Sequence, residues 1–187
     1  MKTWLKRIAI AALALLLALV VAAGVLAGSL ALKYRHIVGT GPGSVATSAQ
    51  PGELGRWVDP FIGTGGVPWM CANNYPGVSL PFGVVRLSPE TASMLTADRA
   101  LNKSGYYYGD NKVLGFSHTR LNGTGAVDGG HVLVRPSLAP VAAQRPREAR
   151  YDLFSHAEER AFPGYYAVRL PRPDILVELT ATPRVGV

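Results

Sequence analysis

From Val58 to His131 the chain is too rich in glycine and aromatic residues to be ordinary core, which restricts it to short elements joined by structured loops. The segment opens Val58-Asp59-Pro60-Phe61-Ile62-Gly63-Thr64-Gly65-Gly66 and continues through Tyr75-Pro76-Gly77, Pro81-Phe82-Gly83 and Gly105-Tyr106-Tyr107-Tyr108. Gly115-Phe116-Ser117-His118-Thr119, Asn122-Gly123-Thr124-Gly125 and Asp128-Gly129-Gly130-His131 complete it. Glycine lets a backbone turn at positive φ or come close to a ligand, and aromatic faces complement the C–H faces of sugar rings. Loops of this composition build a recognition surface.

The apolar runs between the loops are short and β-like. Val84-Val85-Arg86-Leu87 follows a Pro-Phe-Gly turn and is expected to end at Ser88-Pro89. Tyr106 to Tyr108, Val113 to Phe116 and His131 to Arg135 are similar runs, bounded by Gly, Asn, Asp or Pro. Tyr165 to Leu170 is expected to pair with Ile175 to Thr180 across Pro171-Arg172-Pro173-Asp174, a hairpin spacing. Strands of this length with frequent turns predict an all-β fold, a sandwich or barrel. Helical turns are expected only at Leu95–Leu101 and, irregularly, within Tyr151–Arg160.

Several phrases fall together in one order. Val58 to Gly66, Asn74-Tyr75-Pro76-Gly77, Leu80-Pro81-Phe82-Gly83 and Arg86-Leu87-Ser88-Pro89 are followed by Gly115 to Thr119 and Asn122 to Gly125. Phe162 to Val168 and Glu178 to Arg184 come after them. This series resembles the N-terminal domain of the family 92 glycoside hydrolases, calcium-dependent exo-α-mannosidases, from Arg56 to Val187. The resemblance implies an incomplete, supersandwich-like β-sandwich and an inverting hydrolase of α-mannoside glycans, such as those of N-glycan processing. It further implies that the general acid, the general base and most calcium ligands lie in a helical domain. That domain is expected to be absent from this chain, because the strand-like Leu176 to Thr182 is followed only by Pro183 to Val187. No catalytic residue, metal ligand or cofactor of its own is therefore expected here, and calcium belongs to the parent enzyme.

The N-terminus reads differently. No residue from Ile8 to Leu32 is charged, and the run is dominated by Ala, Leu and Val. As a helix it is roughly 37 Å long at ~1.5 Å per residue, enough to cross a ~30 Å hydrocarbon core. Lys2, Lys6 and Arg7 precede it and Lys33-Tyr34-Arg35-His36 follows. The length and the basic stop favour an uncleaved anchor over a signal peptide cut near Ala27-Gly28-Ser29, with the globular part exported to the periplasm or cell exterior. Secretion after cleavage is the alternative. The formal charge of +7 is concentrated there: from Gly39 onward 14 Lys and Arg face 12 Asp and Glu. No basic stripe for nucleic acid remains. Residues 1–37 thus form an anchor or signal, 38–55 a Gly/Pro/Ser-rich flexible linker, and 56–187 the folded domain.

Four residues are candidates for contact with sugar. Gly65 and Gly66 present backbone N–H groups, and the resemblance puts their loop against the terminal sugar. A phosphate loop needs a helix immediately after it, and Val67-Pro68-Trp69 follows instead. Trp69, directly after the glycines, can stack on a ring; the segment Val67 to Asn74 departs from the family pattern, which carries a histidine there. His118 is the better-placed histidine for a substrate or partner hydrogen bond, while His131, opening an apolar run, reads as structural. Cys71, His118, Asp128 and His131 have no zinc spacing. Asp59, Glu90, Asp98, Asp110 and Asp128 all sit in turn-like contexts. Asn102-Lys103-Ser104 and Asn122-Gly123-Thr124 match glycosylation sequons. The rival reading of the whole is a free-standing carbohydrate-binding or adhesion module of the cell envelope.

Overall fold

A computed structural model describes residues 2–34, 45–66, 73–92, 102–138, 140 and 150–187. The chain divides into two compact units, Met1–Val38 and Gly39–Val187.

The first unit is one helix, α1, over Lys2–Tyr34. Its stretch Lys6–Ser29 is long and apolar enough to cross a membrane, with a mean hydropathy of 2.9, and a signal sequence has the same character. Every described side chain along it is exposed. A helix apolar on all sides, with no polar face for water, is a poor soluble helix.

The second unit is built of antiparallel sheets. In the first, β1 (Val78–Ser79), β2 (Arg86–Ala92), β3 (Lys112–Ser117) and β4 (Leu133–Val134) lie in chain order, and β5 (Asp152–Leu153) also pairs with β3. β4 takes the Phe116–Ser117 end of β3 and β5 the Lys112–Val113 end, so the two share one edge. Arg135 joins them, donating from Nη2 to Asp152 at 2.8 Å. The second sheet is β6 (Glu159–Phe162), β7 (Tyr165–Leu170) and β8 (Ile175–Leu179). The hairpin expected around Pro171–Asp174 is present, with Leu170 opposite Ile175. β7 is buried almost throughout, and Phe162, Tyr165 and Ala167 form a cluster with Leu176 and Ala49.

Three local expectations are corrected. β2 does not stop at Ser88-Pro89 but passes through them, with Pro89 opposite Phe116. Proline donates no ladder bond, and it is tolerated because β1 pairs only as far as Leu87, leaving that edge of Pro89 without a strand partner among the described residues. Tyr106 to Tyr108 is deeply buried but forms turns and extended coil rather than a strand. His131 to Arg135 shrinks to the two residues of β4, because His131 is tied back to Thr119 instead of entering the ladder. The helical turn expected at Leu95–Leu101 lies outside the described residues, and that within Tyr151–Arg160 is a single 3₁₀ turn, His156–Glu158.

The described half of the Gly/Pro/Ser-rich stretch packs on the second sheet. Val45 is buried, and Ser48 donates from N (2.7 Å) and Oγ (2.6 Å) to Glu178 Oε1. Arg160 donates to Thr47 and Gln50, and Ala49 rests on the Phe162–Tyr165 cluster. Composition alone signals flexibility, but three polar side chains in this short run, Thr47, Ser48 and Gln50, find specific partners on β6 and β8.

Candidate functional site

The candidate site is a set of loops at the end of the first sheet. The Asp59–Gly66 loop begins with an Asx turn, in which Asp59 Oδ1 accepts from the Phe61 N–H at 2.9 Å. Thr64 is fully buried; its N–H and hydroxyl both donate to Phe61 O, at 3.1 and 2.7 Å. Its own carbonyl accepts from Tyr108 N at 3.0 Å, and Tyr107 Oη donates to Gly66 O at 2.7 Å. The loop is thus held by its carbonyls. Among the described residues no hydrogen bond occupies the N–H of Gly65 or Gly66. Gly66 sits at φ 103°, a conformation that a side chain would strain.

Two amide-bearing loops flank it. Asn74 Nδ2 donates to Ile62 O at 3.4 Å, and Asn73 O accepts from Gly123 N at 2.7 Å, which brings the Asn122–Gly125 loop alongside. Asn122 Oδ1 accepts in turn from Arg86 Nη1 at 3.4 Å, and Arg86 N donates to His118 O at 2.9 Å. Burial pushes the Tyr75 phenol up, with Arg86 beside it pulling the other way. Asn73, Asn74, Asn122 and Arg86 are the residues that sequence reading missed as a group. Asn74, Arg86 and Asn122 stand in the motif phrases read from the sequence, but nothing there marked them as one group.

A buried ion pair sets the position of the third loop. Arg120, wholly buried, donates from Nε to Glu90 Oε1 at 2.8 Å and from Nη2 to Oε2 at 2.5 Å. Its Nη1 donates to Asp128 O at 2.9 Å. The pair fits only because glycine stands beside it twice. A Cβ on Gly105 would lie 2.7 Å from both Arg120 Nε and Glu90 Oε1, and one on Gly130 2.3 Å from Arg120 Nη2.

The sequence candidates distribute as follows. Gly65 and Gly66 lie in the loop as expected. Trp69 lies outside the described residues. His118 directly follows β3; the residue is partly buried, and its Nδ1 is sealed from solvent with no hydrogen-bond partner among the described residues. No hydrogen bond among the described residues joins it directly to Gly65 or Gly66; the link runs through Arg86 and Asn122. His131 Nδ1 lies 3.2 Å from Thr119 Oγ1, a loop clamp. Asp128 Oδ1 accepts from the Gly129 N–H, as a turn former does.

Three of the described carboxylates are engaged in structure. Glu90 pairs with Arg120, Asp110 accepts from Thr91 Oγ1 at 2.7 Å, and Asp152 pairs with Arg135. Among the described residues no three His, Cys, Asp or Glu come together as a metal-binding group. Of the two sequons, Asn102 is buried and donates from Nδ2 to Thr91 O at 2.8 Å, while Asn122 is exposed.

Comparison with known proteins decides the family. The profile of the glycosyl hydrolase family 92 N-terminal domain matches residues 57–187. The chain belongs to that family. A family GH92 α-mannosidase from Bacteroides thetaiotaomicron, solved in complex with mannoimidazole, is 36% identical, with a TM-score of 0.57. The match covers 72% of this chain and 17% of that one. The GH92 family glycosyl hydrolase ccman5 is 30% identical, with a TM-score of 0.59 over 72% of this chain and 18% of its own. An inverting GH92 mannosidase from B. thetaiotaomicron VPI-5482, 23% identical, shares the fold with a TM-score of 0.50 over 74% of this chain and 18% of its own. This family 92 chain thus spans less than a fifth of the length of these relatives. No curated protein matches it.

Proposed function

We propose that residues 56–187 form one wall of the sugar site in an inverting, α-mannosidase-like enzyme that acts on α-mannoside glycans. The observation that carries this is the Thr64–Gly66 loop, pinned through its carbonyls, with the Gly65 and Gly66 N–H groups unbonded among the described residues. Asn73, Asn74 and Asn122 surround it with amide donors and acceptors, the groups that sugar hydroxyls pair with. Trp69 supplies a stacking face, and His118 borders the site through Arg86. Inversion needs an acid and a base on opposite sides of the sugar, ~6.5–9.5 Å apart, with room for water between them. Glu90, Asp110 and Asp152 are committed to structural partners, and we propose that the acid, the base and the calcium ligands come from a helical domain.

The surface of this unit supports such a partner. Trp57, Ile62, Phe82 and Val84 are largely or fully exposed, and a cleft of about 340 Å³ opens between Trp57, Phe61, Arg160 and Phe162. Apolar groups in this number are what a second domain covers. We further propose that the two sheets belong to a β-sandwich, that 8–32 anchors the chain in a membrane, and that the globular part is exported.

The test is a titration of the full chain in detergent with methyl α-mannoside and with mannoimidazole, followed by backbone amide NMR. Shifts are expected at Gly65, Gly66, Asn73, Asn74 and Asn122. The chain alone should not hydrolyse aryl α-mannosides, and fusion to a family 92 helical domain should restore calcium-dependent hydrolysis. Hydrolysis by the chain alone, or sugar-induced shifts confined to another surface, overturns the reading. Saturable mannoside binding with no activity in any fusion would favour a binding module instead.

A further inference from the structure

We propose that Glu159 is a positioning residue for the glycine loop, holding through Tyr106 and His156 the tyrosine segment to which that loop is bonded. The local ordering stands on geometry alone; its consequence for sugar rests on the wall function proposed above. Glu159 opens β6 and is 1% exposed. Its Oε1 accepts from Tyr166 Oη at 2.7 Å, and its Oε2 accepts from Tyr106 Oη at 3.0 Å and lies 2.6 Å from His156 Nδ1. Among the described residues no Lys or Arg pairs with it, in contrast to Glu90. Burying a carboxylate is costly, and here two phenols and an imidazole are gathered around it. Burial, reinforced by the Glu159 charge, pushes both phenols well above their ordinary range, so they remain donors.

Two of the three arms of this cluster, Tyr106 and His156, lead to the loop. The Tyr106 ring lies 6.3 Å from that of Phe61. His156 stacks on Tyr108 at 3.9 Å, with planes 11° apart, and Phe154 meets it edge-on at 5.3 Å. Tyr108 in turn donates to Thr64 O and packs edge-on against Phe61 at 5.6 Å. Tyr107, between them, donates to Gly66 O. Three consecutive tyrosines thus grip the loop, and the second sheet holds the outer two through one carboxylate. A loop whose N–H groups must meet hydroxyls needs such support, because loss of geometry at the contact is loss of binding.

The experiment uses site-resolved hydrogen exchange on the full chain, with no sugar present. Reporters are the Thr64 and Tyr108 amides; controls are the Thr91 amide and the amides of β7. Glu159→Gln and, separately, Tyr106→Phe are expected to speed exchange at the reporters tenfold or more relative to the controls. The ring protons of His156, shielded by Tyr108, should move toward free-imidazole shifts in Glu159→Gln. Uniform acceleration of reporters and controls would show a global stability effect and overturn the proposal. So would unchanged reporters in either folded variant. Should Glu159→Gln fail to fold, Tyr106→Phe, which leaves the carboxylate with two partners, decides alone. Since no ligand enters the measurement, failure of mannoside binding in the wild type would refute the wall and leave the positioning result standing.

Discussion

Removing Glu90 should be among the most damaging single changes in this domain. The Arg120 side chain is fully buried and that of Glu90 3% exposed, so neither charge reaches water in the native state. In Glu90→Leu the guanidinium stays buried and keeps one described acceptor, Asp128 O. Breaking a buried pair by removing one partner costs about 3–5 kcal/mol. The residual carbonyl puts the expected loss near the lower end, about 3 kcal/mol. Against a typical domain stability of about 5–15 kcal/mol, that is a large share. The double variant Glu90→Leu/Arg120→Met removes both charges and keeps the volume, so it should recover most of the loss. What remains is the carbonyl of Asp128 deprived of its donor, about 1–2 kcal/mol. Urea unfolding of the full chain in detergent measures this, with near-UV circular dichroism of the buried tyrosines as the signal. A loss below about 1 kcal/mol in Glu90→Leu, or a double variant as unstable as the sum of the two singles, would refute the reasoning.

Gly105→Ala should destabilise through the same pair, since it adds a Cβ against two sealed charged groups at φ 83°; the same urea series reads it, and wild-type stability would contradict the packing. Hydrogen bonds from the Ser48 hydroxyl, Tyr165 and Ser48 N hold the Glu178 carboxyl below its usual range. A depressed folded value stabilises above the unfolded value of about 4.3 and loses that stabilisation as pH falls through the folded one. Docking of the Ser48 segment should therefore loosen below about pH 4, seen as loss of Ser48 amide protection, and Glu178→Gln should loosen it at neutral pH. Asn102 should carry no glycan in folded protein from a glycosylating host, while Asn122 remains available, as glycopeptide mass spectrometry will show. The anchor proposal expects the chain to stay in the membrane fraction through a carbonate wash; recovery of a soluble form beginning near Ser29 would replace it with a cleaved signal.

Much of the glycine-rich loop surface was legible in the chain because its signals are local. Glycine at Gly63, Gly66, Gly123 and Gly125 marked turns at positive φ, and all four adopt it. The β7–β8 hairpin was readable from two apolar runs separated by Pro171 to Asp174, because turn chemistry and alternation act over a few residues. The uncharged run before Lys33 determined a long apolar helix for the same reason. What tertiary structure decided is what depends on residues far apart. Nothing in sequence pairs Glu90 with Arg120, and no period marks Tyr106 to Tyr108 as buried coil instead of strand. Their burial follows from Thr64, Phe61, Glu159 and His156 arriving from other segments. The Ser48 segment reads as a tether by composition, yet it is docked because Glu178 and Arg160 on the second sheet meet its hydroxyl and amide groups. Hydrogen bonds of this kind depend on which strands neighbour which, and strand order and register are settled only when the whole domain closes.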